Sequence, residues 1–177
     1  MVHKTRWVAG LVIAATAASV AATALATDAS GFRGTTLAVG RIGSFDVLNH
    51  AVLTPPGQQE RGRRGRLWLS YQSVKGQSDV YVQSNVWDPG GTTGWHSHPG
   101  HSLITVTEGT VTVYEGDDRS CTPHEYTQGM TFVDEGGEHS HVIRNETPFE
   151  AKTMAVQVIP AGAARRDDRP ANPNCPF

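Results

Sequence analysis

Four of the chain's eight histidines fall in two H-x-H pairs, His96/His98 and His139/His141. Side chains alternate across a β-strand, so residues i and i+2 face the same way. On an extended segment each pair therefore presents two imidazoles to one side. Neutral imidazole is a ready ligand for zinc, iron, copper or nickel. Two such pairs meeting inside a barrel would make a site for one divalent metal, with His96, His98, His139 and His141 as candidate ligands. A lone strand histidine is usually a packed or solvated side chain, and it is the second pair that lifts the signal.

The flanking residues say which elements must hold these histidines. Asp88-Pro89-Gly90-Gly91 is a strong turn, and the first pair follows at once. Ser102, Ile104 and Val106 share the parity of His96 and His98, which predicts a strand that ends at the Glu108-Gly109 hairpin. His101 has the opposite parity and points away unless Pro99-Gly100 forms a bulge. Downstream, Met130 to Val133 reads as a strand and Asp134 to Glu138 as a glycine-rich turn. His139, His141, Ile143 and Asn145 then share one parity, and Pro148 to Ile159 reads as a last long strand. Upstream, Thr36 to Leu48 suggests strands broken at Gly43-Ser44. Leu67 to Val74 and Asp79 to Trp87 are expected to pair around Lys75-Gly76. Trp95, Ile104, Val106, Phe132 and Ile143 are candidates for an apolar wall around the histidines.

Taken together, residues 90–145 resemble the cupin family. The first cupin motif, G-x5-H-x-H-x(3–4)-E-x6-G, is matched by Gly90, His96, His98 and Gly109. Its glutamate slot falls on Ser102, so a fourth protein ligand of many cupins is missing. The second motif, G-x5-P-x-G-x2-H-x3-N, is matched by Gly129, Gly137, His141 and Asn145, with one extra residue after Gly137 and Glu135 in the proline slot. The H-x3-N spacing favours His141 as third ligand, and the extra residue leaves His139 as its rival. More narrowly, the chain is similar to small exported actinobacterial cupins. The resemblance implies an all-β fold, a single double-stranded β-helix barrel of jelly-roll type, over residues 35–160. It also implies one divalent metal ion (Fe, Mn, Zn, Cu or Ni), a small-molecule ligand or substrate, and a homodimer as one assembly the family adopts.

Residues 1–26 read as a secretory leader: Lys4 and Arg6, an alanine-rich apolar run from Trp7 to Val20, and the cleavage signal Ala24-Leu25-Ala26. The apolar run is short for a membrane span, so no stable span is expected after cleavage, and the location is secreted or extracytoplasmic. Residues 27–34 are small and polar and are expected to be a flexible N-terminus. Residues 161–177 form a proline-rich tail. The two cysteines, Cys121 and Cys175, suit a disulfide in an oxidising compartment, and that link would pin the tail to the barrel. Cysteine as metal ligand or nucleophile fits less well, since both lie outside the motifs. Loss of Lys4 and Arg6 with the leader leaves 13 basic against 17 acidic residues, a net charge of −4. That balance does not favour nucleic acid. Glu60 to Arg66 is the one dense basic run, and it reads as a solvated loop rather than an anion site. Asp117-Asp118 starts no calcium-ligand series, and His124 reads as a surface residue.

Two functions from different classes follow. One is a metal-dependent enzyme, of dioxygenase or related type, acting on a small organic molecule outside the membrane. The other is a non-catalytic module that holds a metal or small ligand. No residue stands out as a general acid or base, so the catalytic residues are not assigned. Glu135 and Glu138 are the nearby carboxylates, and both fall in a turn.

Overall fold

The computed structural model describes residues 27–53, 66–175 and 177. The leader expected over 1–26, and the basic run up to residue 65, lie outside these residues. Among those described there is no helix, and so none long and apolar enough to cross a membrane. The chain runs through β1 (Ser30–Ile42), β2 (Phe45–Leu53), β3 (Arg66–Val74), β4 (Ser78–Thr92), β5 (His96–Ser97) and β6 (Ser102–Glu108). It continues through β7 (Thr110–Glu115), β8 (His124–Thr127), β9 (Thr131–Asp134), β10 (His141–Arg144), β11 (Ala151–Pro160) and β12 (Asp167–Asp168).

Ten of these strands form one rolled antiparallel sheet in the order β12-β5-β10-β4-β11-β6-β9. β1 lies on the other edge of β4, and β7 joins β10 to β8. β10 is thereby hydrogen-bonded to β4, β5 and β7, which nearly closes the sheet into a barrel. This is the all-β barrel that the resemblance implied. Strand alternation divides the side chains as expected: Ala151, Thr153, Ala155, Gln157 and Ile159 of β11 are buried, and their neighbours face outward. The main core gathers Trp87, Ile104, Val106, Val111, Val113, Phe132 and Ile143. A second cluster packs Trp95, Tyr114 and Val142 against Cys175.

The structure corrects two expectations. Ser30 to Gly34, assigned by composition to a loose N-terminus, lie in β1 and pair with β4 from Asn85 to Thr92. Small polar residues there are held by a ladder, not by their own burial. The second correction concerns β3 and β4, which do not pair with each other. β4 takes β1 and β11 as neighbours, and β3 pairs with β2 in a two-stranded sheet of its own. The turn signal at Lys75-Gly76 is real, but it marks a kink along one long hairpin.

The tail is part of the fold. Cys121 and Cys175 form a disulfide with Cα atoms 5.3 Å apart, and Asn172 Nδ2 donates to the Glu115 and Asp118 carbonyls. Within the same segment, β12 pairs with β5, setting Asp168 opposite His96. Closing a loop over a sequence separation of 54 restricts the unfolded chain by about 4 kcal/mol in the chain-entropy account. A Cys175→Ser variant is expected to lose stability of that order. Urea unfolding of oxidised wild type and variant checks it, and an unchanged midpoint would show that the tail is held without the bond.

Candidate metal centre

His96 and His141 face each other as direct antiparallel partners of β5 and β10. His98 follows two residues after His96, at the mouth of the turn into β6. One ring nitrogen from each of the three lies within 4.8 Å of the others. The ring centroids are 4.4 Å apart for His96–His141, 4.8 Å for His96–His98 and 5.6 Å for His98–His141. His96 and His141 are buried and His98 is half-buried.

The other ring nitrogens are occupied in a way that orients the set. His96 Nδ1–H donates to the Gly94 carbonyl at 2.9 Å, and His98 Nδ1–H donates to the Arg165 carbonyl. His141 Nδ1 lies 3.5 Å from Asp134 Oδ1. Nε2 of His96 and of His98 therefore keeps its lone pair, and His141 Nε2 is buried without a hydrogen-bond partner among the described residues. Histidines that bind a metal characteristically give their second nitrogen to a carbonyl or carboxylate. The donor set thus fits a divalent cation.

The electrostatics point the same way. Burial holds the His96 imidazolium far below its ordinary range, and the nearby His141, Arg166 and His98 add to the effect. Burial likewise pushes His141 down to about 4, with Asp134 opposing and His98 and Arg166 assisting. Both rings are neutral at pH 7, the form that binds a cation.

Asp134 is the residue the sequence reading missed. Its side chain is 3% exposed and accepts from Ser102 Oγ at 3.1 Å and from Gly136 N at 3.0 Å. Its Oδ2 is also 3.7 Å from His98 Nε2. Ser102, which stands in the cupin glutamate slot, is the direct cross-strand partner of Asp134. A carboxylate is therefore present, one strand over from where the motif places it. The available signal was the start of β9's exit turn, where an aspartate reads as an ordinary turn residue.

His139 takes a different place from its rival. It precedes β10, its side chain is 55% exposed, and its Nε2 lies 3.6 Å from Glu135. The shared parity of residues 139 and 141 fails because the segment is extended only from His141 onward. His101 is half-buried, outside the three-histidine group, and its carbonyl accepts from Val158 N. Asn145 is fully buried and holds a turn: Nδ2 donates to the Trp87, Asp88 and Phe149 carbonyls, and Oδ1 accepts from Thr147. Its role is structural.

Two cavities meet at His141. The first, about 290 Å³, is lined by all three histidines with Trp87, Ile104, Ile143, Gln83, Asn85, Gln157, Arg165 and Arg166 among its walls, and no Asp or Glu contributes. Of the expected wall, Ile104 and Ile143 are here. Phe132 lines the second cavity, Val106 is in the core, and Trp95 packs with Tyr114. The second cavity, about 270 Å³, carries Glu115, Asp117, Asp134 and Glu135 with His139. Arg165 and Arg166 come from the tail, to which the sequence reading assigned no site residue. Arg165 lies over Tyr81 at 4.2 Å and donates to Gln157 Oε1 at 3.0 Å.

The two halves of the site are clamped by bare backbone. Gly136 has φ +70°, and a Cβ there would sit 2.3 Å from the Gly100 carbonyl oxygen. Gly137 N donates to the His98 carbonyl at 2.7 Å. Only glycine accepts both the left-handed backbone and the contact.

The neutral burial of His141 sets a pH dependence for the metal-free protein. Its folded pKa, about 4, is below the ordinary 6.5, so the unfolded chain binds more protons between those values. The stability contribution is complete above about pH 6.5 and is lost as pH falls toward 4. The slope approaches about 1.4 kcal/mol per pH unit for one proton, and His96 adds to it in the same direction. Urea midpoints of the metal-free protein from pH 7.5 to 4 should fall accordingly. His141→Gln should flatten the curve, and an equal slope in that variant would remove His141 from the account.

A cupin domain model matches residues 85–157, which include both histidine pairs. Among solved structures, a conserved protein of unknown function from Streptococcus pyogenes is 20% identical, with 47% of this chain and 67% of that one covered and a TM-score of 0.40. A structure of the DMSP lyases RdDddP and RnDddQII is 19% identical, covering 51% of this chain and 44% of that one, with a TM-score of 0.43. The polyketide cyclase RemF from Streptomyces resistomycificus is 19% identical, covering 54% of this chain and 65% of that one, also at 0.43. This chain thus spans less than half the length of the lyase and just under two thirds of the cyclase, and no activity is carried over from either. No curated protein sequence matches the chain. The domain match, laid over the histidines of a nearly closed antiparallel barrel, makes residues 85–157 a cupin domain.

Proposed function

We propose that this protein is an exported divalent-metal cupin whose ligands are His96, His98 and His141, and that it acts on a small organic molecule in the cavity of about 290 Å³. One observation carries the reading. Three imidazoles converge within 4.8 Å, their outer nitrogens are engaged, and the buried Nε2 of His141 has no partner. A bound metal would supply Lewis acidity or, for a redox-active ion, oxygen activation at its open positions. The chain's own residues do the rest. Gly94 and Arg165 carbonyls and the Asp134 carboxylate fix the imidazole tautomers. Ile104, Ile143 and Trp87 exclude water, and Gln83, Asn85 and Gln157 offer amides to orient a polar ligand.

An alternative of a different class is favoured by one feature of the same cavity. Among the described residues no Asp or Glu lines it, so none of them places a carboxylate to move a proton on a bound molecule. A non-catalytic module that holds a metal or small ligand outside the cell needs no such group. Export is supported by the leader-like composition of residues 1–26 and by the Cys121–Cys175 disulfide.

Metal content of the untagged protein, purified from an exporting host, tests the site. About one equivalent of a divalent transition metal is expected, lost in His96→Ala/His98→Ala and retained in His139→Ala. Absence of metal in wild type after reconstitution would sink the reading. Loss in His139→Ala would move the third ligand. Oxygen uptake or substrate turnover by the loaded protein separates the enzyme from the binding module.

Asp134→Asn provides a second test. It keeps the shape and removes the charge beside His98 and His141. Metal affinity is expected to fall about 10–100-fold, the usual effect of losing a partner behind a ligating histidine. Competition with a chromogenic chelator reads this, and an unchanged affinity would leave Asp134 with a purely structural role.

A further inference from the structure

The cavity beside the three histidines has charge of one sign only. Arg165 and Arg166 stand in its wall, and among the described residues no Asp or Glu does. Arg166 has a counter-ion in Asp168. Arg165 is half-buried, and its partners among the described residues are all neutral. Its Nε donates to Gln157 Oε1 and its Nη1 to Thr36 Oγ1, each at 3.0 Å, while Nη2 donates to Gln83 Oε1. The guanidinium lies over the Tyr81 ring at 4.2 Å. Charges drawn into a protein are ordinarily paired, and this one is held rigidly without a carboxylate. A guanidinium carries five N–H groups, so these bonds leave one on each terminal nitrogen. Two such groups can take both oxygens of a carboxylate.

The rest of the wall is short of acceptors and rich in donors. Gln157 is buried, and with its Oε1 on Arg165 its amide nitrogen has no partner among the described residues. Gln83 also gives its oxygen to Arg165, and its amide nitrogen satisfies Asn85 Oδ1. Trp87 Nε1 is enclosed without a hydrogen-bond partner among the described residues. The backbone of residue 165 is fixed to the metal centre as well, since its carbonyl accepts from His98 Nδ1. One tail residue thus orients a histidine through its carbonyl and brings an unpaired positive charge to the same cavity through its side chain.

We propose that the ligand of this cavity is a small organic anion, a carboxylate with a short apolar body, and that Arg165 is the residue that selects it. This rests on the cavity being the ligand site, as argued above, and narrows its occupant to one chemical class. The carboxylate takes the two remaining N–H groups of Arg165, and the Gln157 amide supplies a further donor. The apolar body lies against Ile104, Ile143 and Ala155. A volume of about 290 Å³ holds about ten water-sized groups, which limits the anion to a small molecule. A neutral ligand would leave the guanidinium without a counter-charge, and a cationic one would meet two arginines.

Butanoate, butanamide and butylamine are close in shape and differ in charge, and NMR titration of the full chain with each, zinc-loaded and metal-free, tests the proposal. Butanoate is expected to bind at least about 10-fold more tightly than butanamide in both forms, the usual worth of hydrogen bonds to a charged partner. Arg165→Gln should bring that ratio to about one, Arg165→Lys should keep part of it, and Arg166→Gln most of it. Every variant retains the carbonyl that caps His98, so zinc content is followed in parallel. The two readings fail separately. Zinc bound with a ratio near one in wild type would overturn the anion proposal and leave the metal centre standing. A protein that binds no zinc yet keeps the ratio would lose the metal centre and retain Arg165 as an anion site. A ratio that survives Arg165→Gln, or collapses in Arg166→Gln instead, would refute the assignment, as would no butanoate binding up to about 50 mM. Should Arg165→Gln fail to fold, the side-chain Nε–H resonance of Arg165 in metal-free wild type decides. It should shift with butanoate and not with butanamide, and an unmoved resonance would refute the proposal.

Discussion

The site depends on one constraint: His96 and His141 can be buried against each other and beside His98 only while both rings stay neutral. A protonated ring in that position would be desolvated and would face two others at ring distances of 4.4–5.6 Å. The fold meets this with parts drawn from well-separated stretches of chain. Gly94 caps His96 from the turn before β5, Arg165 caps His98 from the tail, and Asp134 stands behind His141 from the end of β9. What remains is a set of inward-facing lone pairs, of which His141 Nε2 is the most exacting. An uncompensated buried acceptor costs about 1–3 kcal/mol, and a cation at that point removes the cost.

This explains which parts of the site could be read from sequence. His96, His98 and Ser102 were legible because period-two alternation is local, and β5 and β6 keep it on either side of the turn. Ile104 and Val106 continue it into the core. His139 misled because alternation was extended into a turn whose glycines, Gly136 and Gly137, take positive φ. Asp134 was invisible for the opposite reason. Its importance comes from cross-strand register, and register between β6 and β9 is set by pairings that a single sequence does not display. The tail was expected to be pinned by its disulfide, and what composition did not show is its contribution to the site. Its arginines and aspartates are polar, yet β12, the Arg165 carbonyl and the disulfide make it a wall of the cavity.

The same distinction between local and non-local signals runs through the fold. The break at Gly43-Ser44 and the turn at Lys75-Gly76 were both read correctly as interruptions. Their meaning was not local, because they lie opposite each other and divide the paired strands into a barrel part, β1 with β4, and a separate ribbon, β2 with β3. Within the barrel part, β4 has ladder partners on both edges. In the ribbon, β2 and β3 have only each other among the described residues. The expected partner of β3 was β4, and the exposure of its apolar residues follows from pairing with β2 instead.

The relocated carboxylate bears on how such a site can vary. Within a pleated sheet, direct cross-strand partners have Cβ atoms about 4.5–5.5 Å apart on the same face. A carboxylate can therefore move from β6 to β9 and still lie within one side-chain length of the same point. The move changes its relation to the histidines. From the motif's position on β6 a glutamate reaches inward with a long side chain. From position 134 a shorter aspartate is held back by Ser102 Oγ and Gly136 N, behind His141 and beside His98. The negative charge would still offset a cation, but from beside the imidazoles rather than as a direct ligand. The inward-facing donors, one ring nitrogen from each of three histidines, would leave a divalent ion its full charge and more of its coordination positions for whatever enters the cavity.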